Sequence, residues 1–200
     1  MTVSASTPRL RLTLAWYVLI LALVAVSDRP CAEGLAGALA DVAGLVLMAA
    51  AALGRLWTSA FIAGHKESQL VTVGPYSVCR NPLYALSLLG GIGIGLASGS
   101  IVLTVATAIV LLVLYLHAIF AEEDILLSRH GEEFRRYCAE VPRLLPALRA
   151  ATRPARVEVN VPVYAKAFWD AGSFIMIFAL LELLDALRAQ GWLPTLLTLR

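Results

Sequence analysis

Five apolar runs, at residues 12–26, 35–57, 83–97, 101–120 and 163–187, limit what this chain can fold into more than any other feature. The hydrocarbon core of a bilayer is about 30 Å thick, and a helix needs roughly 20 apolar residues to cross it. Lipid offers no partner to a free backbone N–H or C=O, so such runs are stable there as helices and not as open sheets. The composition agrees: of 200 residues, 60% are hydrophobic and 15% charged, too apolar a balance for a soluble domain. The expected fold class is all-α, a polytopic helical membrane protein with about five transmembrane helices. The net charge of +2 comes without a basic stripe interleaved with aromatics, so no nucleic-acid partner is expected.

Residues 1–57 carry the first two spans, 58–148 a central core, and 149–200 a polar linker and a fifth apolar helix. The first run has a signal-peptide look, but Val24 to Asp28 is a poor cleavage site and further spans follow, so it is read as a span. Gly37, Ala40 and Gly44 suit close helix packing in lipid. The same reading applies to Gly91, Gly93 and Gly95, because a phosphate loop needs a strand before it and these glycines lie inside an apolar helix. Ser98-Gly99-Ser100 predicts a tight turn, making the third and fourth spans a helical hairpin. Beyond Phe120 the chain turns amphipathic, with Ile125, Leu126, Phe134, Tyr137 and Val141 able to share one face.

Arginine and lysine near the span ends set the orientation. Arg9 and Arg11, then Arg55, Lys66 and Arg80, then Arg129, Arg135, Arg136 and Arg143 fall on one side of a five-span chain. The other side has Arg29, Arg188 and Arg200. The expectation is a multi-pass protein with a cytoplasmic N-terminus. Cys31, Cys79 and Cys138 lack metal-ligand spacing and read as free thiols.

The connection before the third span, Val71 to Ser87, carries Gly74-Pro75-Tyr76 and then Arg80-Asn81-Pro82-Leu83-Tyr84. Asn81 as cap and Pro82 as first helical residue are ordinary helix-start signals, and Arg80 can snorkel to the interface. Those roles leave Gly74-Pro75-Tyr76 and Tyr84 unexplained. Glu122, Glu123 and Asp124 follow the fourth span, where three acids oppose the dipole of a helix that ends there and form a solvated face on one that continues. A hairpin brings Arg80, Asn81, Tyr84, Glu122 and Glu123 to one membrane boundary, and converging ionisable groups there mark a site for a zwitterionic or cationic ligand. His117 reads as an interhelical hydrogen-bond partner; no metal site is expected from it or from His65 and His130.

These motifs, with Gly131-Glu132-Glu133-Phe134-Arg135-Arg136-Tyr137 and Val141-Pro142-Arg143-Leu144-Leu145-Pro146, resemble the isoprenylcysteine carboxyl methyltransferase and phospholipid methyltransferase superfamily. The resemblance covers about residues 70–146. It implies an integral membrane methyltransferase with S-adenosyl-L-methionine in a cytoplasmic pocket, capped by the segment after the fourth span. Residues 58–148 would then be the cofactor-binding core. Carried over, Tyr76, Asn81, Pro82, Leu83, Tyr84 and Glu122 would touch the cofactor, Ser68, Gln69, Leu70 and Val71 would line the pocket, and Arg80 and Glu123 would support them. Three positions depart from the family pattern: Asn81 stands for a histidine, Leu86 for a glycine that would let the third helix pack closely, and Ala118 for a substrate-side arginine.

Methyl transfer asks for alignment and exclusion of water. A protonated amine acceptor would also need a base, with His117, Glu123 or Tyr84 as candidates. The implied acceptor is amphiphilic or lipid-like and enters laterally from the bilayer. The fifth span completes the substrate cavity or builds a dimer interface. Two other classes stay open on the residues alone: a membrane reductase with a nicotinamide cofactor, and a non-enzymatic transport or assembly protein.

Overall fold

The computed structural model describes residues 6–27, 34–63, 69–147, 151–152, 154–193 and 196–197. Six helices follow in order: α1 (Ser6–Val26), α2 (Gly34–Ile62), α3 (Pro75–Val78), α4 (Pro82–Ala97), α5 (Ile101–Glu140) and α6 (Val161–Ala189). Among the described residues there is no strand, only the isolated bridges Ser27 to Leu197 and Gly74 to Thr152.

All five apolar runs are helical. Three helices, α2, α5 and α6, are long and apolar enough to cross a membrane. The apolar stretches of α1, Arg11–Val26, and of α4, Pro82–Ala97, are shorter, about 24 Å each at 1.5 Å per residue. Val18, Leu39, Val46, Ile109, Val113 and Ile175 lie exposed along these helices, as side chains do when the solvent is hydrocarbon.

Two boundaries differ from expectation. α2 continues to Ile62 instead of stopping at Trp57, and Trp57 stacks edge-on against Phe61 with centroids 5.7 Å apart. α5 does not end at the acidic cluster: it runs on to Gly131, where φ of 51° and ψ of −120° break its direction, and resumes to Glu140. Glu122, Glu123 and Asp124 therefore lie mid-helix, clear of any C-terminal dipole.

The contacts form two compact units. The first comprises the described residues of Met1–Ala49, Leu88–Ala118 and Ser173–Arg200. Backbones meet at Gly44 and Gly93, where a Cβ on either would lie 2.7 Å from the other's carbonyl oxygen. This is the small-residue packing read from the sequence. At the turn between α4 and α5, Gly99 has φ of 68° and Ser100 Oγ accepts from Leu103 N at 3.3 Å.

The second unit comprises the described residues of Ala50–Ser87 and Ile119–Gly172. Phe134, Tyr137 and Val141 form its small core, with Leu70, Leu126 and Cys138 packed against them. Here Leu86 meets α2 at Gly54, where a Cβ would lie 2.6 Å from Leu86 Cδ2. The looser packing expected from Leu86 does not arise, because the glycine that admits close approach sits on the facing helix.

Candidate functional site

The site is built on the connection from Gln69 to Asn81. Gly74 starts α3 with φ of 63° and ψ of −129°, and a Cβ there would lie 2.2 Å from Phe61 Cε1. Dihedral and space both demand glycine. Pro75 follows as the first helical residue, where its missing N–H costs nothing. Thr152 ties the turn down: its Oγ1 accepts from Gly74 N at 3.2 Å, and its N–H donates to Ser77 Oγ at 2.9 Å.

The end of α5 and the segment after it clasp this connection. Tyr137 Oη donates to the Tyr76 carbonyl at 2.6 Å, Arg80 N to Pro142 O at 2.9 Å, and Ala147 N to Val78 O at 2.8 Å. Each bond spans 60 or more residues of sequence, so this polar backbone is organised by tertiary contacts. Burial pushes the Tyr76 phenol well above its ordinary pKa; Tyr137, Glu122 and Cys79 add to the rise and Arg55 opposes it. Burial also raises the Cys79 thiol, against the Asn81 backbone N–H and the Arg80 charge, keeping it neutral to donate to Leu144 O at 3.2 Å.

Glu123 is the centre of the arrangement. Its Oε1 accepts from Arg80 Nε at 3.2 Å and Asn81 Nδ2 at 3.1 Å; its Oε2 accepts from Arg143 Nε at 3.1 Å and Nη2 at 2.9 Å. Arg80 Nη1 reaches on to Cys138 O at 2.7 Å, and the Arg143 guanidinium lies 4.5 Å from the centre of the Phe120 ring. Glu123 is only 9% exposed, and a carboxylate is tolerated at that burial when charge-assisted donors surround it. The solvated-face reading of the acids therefore fails at Glu123 and holds at Asp124, which is exposed. One residue earlier, Tyr84 Oη donates to Glu122 Oε1 at 2.8 Å.

Of the residues singled out in the sequence, Tyr76, Arg80, Asn81, Pro82, Leu83, Tyr84, Glu122 and Glu123 gather in this unit. Leu70 joins through the Phe134 cluster, Val71 is half-buried and Gln69 exposed. Ser68 and His65 lie outside the described residues, as does Cys31. Asn81 does start α4 with Pro82, its carbonyl accepting from Ala85 N at 3.1 Å, but its side-chain amide bonds Glu123 and the Arg143 carbonyl at 3.2 Å. His117 is exposed on α5. Both oxygens of Glu123 are engaged in hydrogen bonds. A cavity of about 260 Å³ beside the clamp is lined by Phe120, Glu123, Asp124, Leu127, Phe134, Arg135, Cys138 and Arg143.

Sequence reasoning missed two arginines. Arg143 enters the sequence reading only as part of a motif and of the orientation, although it supplies half of the donors on Glu123. Arg55 served only to set orientation. It is the sole basic residue of α2, and a lone charge inside an apolar helix was the available signal. Among the described residues, no group of three or more His, Cys, Asp and Glu side chains is placed to hold a metal ion.

A family model described as phospholipid methyltransferase matches residues 35–133, from α2 through the Gly131 break. The chain belongs to that family. The match contains Tyr76, Arg80 to Tyr84, Glu122 and Glu123; Arg143 lies beyond it. Two curated proteins are similar over 156 residues, 78% of this chain. The nickel-cobalt-cadmium resistance protein NccN of Alcaligenes xylosoxydans xylosoxydans is 33% identical, with 73% of its length covered. The cobalt-zinc-cadmium resistance protein CzcN of Cupriavidus metallidurans is 32% identical, with 72% covered. No solved structure matches the chain.

Proposed function

We propose that this member of the phospholipid methyltransferase family is an S-adenosylmethionine-dependent membrane methyltransferase acting on an amphiphilic or lipid-like acceptor that enters from the bilayer. The observation that carries the reading is the convergence of the Tyr84–Glu122 pair with the Arg80–Asn81–Glu123–Arg143 clamp beneath the Tyr76 turn.

The side chains fit the cofactor chemically. Glu122 offers a carboxylate to ribose hydroxyls or an ammonium group, and Tyr76 and Tyr84 offer aromatic surface beside a cation. Leu70 and Val71 offer apolar surface to a base. The cavity beside the clamp lies just under the usual size for small-molecule sites, room for part of a ligand. When bound, the cofactor supplies an activated methyl group together with its leaving group.

The chain's own part is orientation. Glu123, held by three side chains, positions Arg80 and Asn81 at the start of α4 and thereby Tyr84. It acts through its neighbours and not as a base. A carboxylate acceptor needs no proton removed, and an amine acceptor would give its proton to the Tyr84–Glu122 pair. We read α1, α2, α4, the apolar part of α5 and α6 as five crossings, with α4 and α5 a hairpin and the clamp on the cytoplasmic side. Residues 58–148 then form the cofactor core, and α6 is left to border the acceptor or a second copy.

The names of NccN and CzcN support a cellular setting for this activity, in which methylation of a membrane acceptor serves resistance to nickel, cobalt, zinc or cadmium.

Equilibrium binding of S-adenosylhomocysteine to the detergent-purified chain tests the core of the reading. Saturable binding is expected, weakened tenfold or more by Glu122→Gln, the scale of about 1.4 kcal/mol for a charge-assisted bond. A folded wild-type sample that binds neither S-adenosylmethionine nor S-adenosylhomocysteine overturns it.

A further inference from the structure

Arg55 sits inside α2, whose other residues from Val42 to Ile62 are all uncharged. Counting 1.5 Å per residue, it lies about 10 Å from the C-terminal end of that helix. Its side chain is 20% exposed. Nη1 donates to Leu83 O at 3.4 Å and to Ser87 Oγ. The opposite edge of the guanidinium, formed by Nε and Nη2, is poorly matched. Nη2 reaches Asp170 Oδ2 of α6 at 3.5 Å, and Nε is buried with no hydrogen-bond partner.

That edge is the one with which a guanidinium takes a carboxylate or phosphate in two parallel bonds, ordinarily at about 2.7–2.9 Å. Asp170 provides one long contact from a side chain that is 65% exposed, and an exposed ion pair of that kind stabilises little. The Nε–Nη2 edge thus carries one long contact and one unmet donor.

The surroundings point to an amphiphile. Ser87 lies three residues after Tyr84 on α4, so the two are neighbours on the helix surface. Arg55 is therefore one turn along α4 from the Tyr84–Glu122 pair. Phe168 and Trp169, next to Asp170, are 56% and 86% exposed and offer apolar surface to a hydrocarbon chain.

We propose that the Nε–Nη2 edge of Arg55 binds the anionic group of an amphiphile, a carboxylate or a phosphate, with Asp170 as the counter-ion it displaces. Calling that amphiphile the methyl acceptor rests on the reading above; the anion site itself does not. An arginine on α2 would then supply the substrate-side cation whose place on α5 is taken by Ala118.

The test is saturable binding of hexadecanoate, hexadecyl phosphate and hexadecanol to the full chain in a neutral maltoside detergent. S-adenosylhomocysteine binding is measured on the same samples. Expected is at least tenfold tighter binding of one or both anions than of the alcohol. Arg55→Gln should remove this preference with S-adenosylhomocysteine binding unchanged, and Asp170→Asn should strengthen it several-fold. The better anion identifies the headgroup class. Equal binding of anion and alcohol by wild type, or an intact preference in Arg55→Gln, overturns the proposal. If Arg55→Gln does not fold, an unchanged anion preference in Asp170→Asn overturns it instead. Anion preference without S-adenosylhomocysteine binding sinks the methyltransferase reading and leaves the Arg55 site standing; the converse does the reverse.

Discussion

Glu123 holds four donors on two oxygens, and they come from three residues at two places in the chain, 80–81 and 143. Truncating one partner of a buried charge network leaves the others unpaired, at about 3–5 kcal/mol. Glu123→Ala should therefore lower stability by that amount in a denaturation series, whereas Glu122→Ala, which removes a half-buried group outside the clamp, should cost clearly less. Equal losses would deny Glu123 its place as the organiser. Tyr76 gives a prediction in pH. Its phenol holds its proton more tightly folded than unfolded, so the folded state binds more protons above about pH 10 and stability falls as pH rises through that range. Below it the contribution is complete. Tyr76→Phe should flatten the alkaline fall in melting temperature; an unchanged profile would assign the fall to other groups.

At the scale of elements, the helix a residue would lie in was legible from the apolar runs, and its ends were less so. α4 starts at Pro82 as the Asn-Pro signal requires. α2 and α5 both run past their apolar stretches, through Thr58 and Ser59 in one and Glu122 to Asp124 in the other, polar residues that hydropathy alone places outside a span. Thr58 Oγ1 is buried without a hydrogen-bond partner. At Glu123, in contrast, a partner reached through the fold offsets the polarity: it is bonded to Arg143, 20 residues on, and no local pattern announces such a pairing. The same limit hid Gly54. Leu86 read as a departure from a close-packing glycine, yet the facing glycine lies 32 residues away. Exchange between them is testable. Gly54→Ala should destabilise the chain by about 1–3 kcal/mol through overpacking against Leu86, and adding Leu86→Ala should recover much of the loss. Additive losses in the double variant would mean the two positions do not pack as one unit.

For the whole molecule, charge asymmetry and helix order together are the basis of the proposed topology, which the fold alone does not fix. Three helices are long enough to cross and two are short; if both short ones also cross, the turn at residues 98–100 and the segment after Gly131 lie on opposite faces. In the proposed orientation the arginines at 129, 135, 136 and 143 would put the second of these inside the cell, together with the Glu123 clamp. The proposed cytoplasmic methyl donor would require that placement. Ile101 and Glu132 are exposed, so each tolerates a reporter thiol once Cys31, expected on the outer face, has been changed to serine. On intact cells a membrane-impermeant maleimide should label Ile101→Cys and spare Glu132→Cys, and after lysis it should label both. Labelling of Glu132→Cys alone would invert the chain and put the clamp outside. Labelling of both on intact cells would mean that α5 does not cross at all, and the five-crossing arrangement would be lost with it.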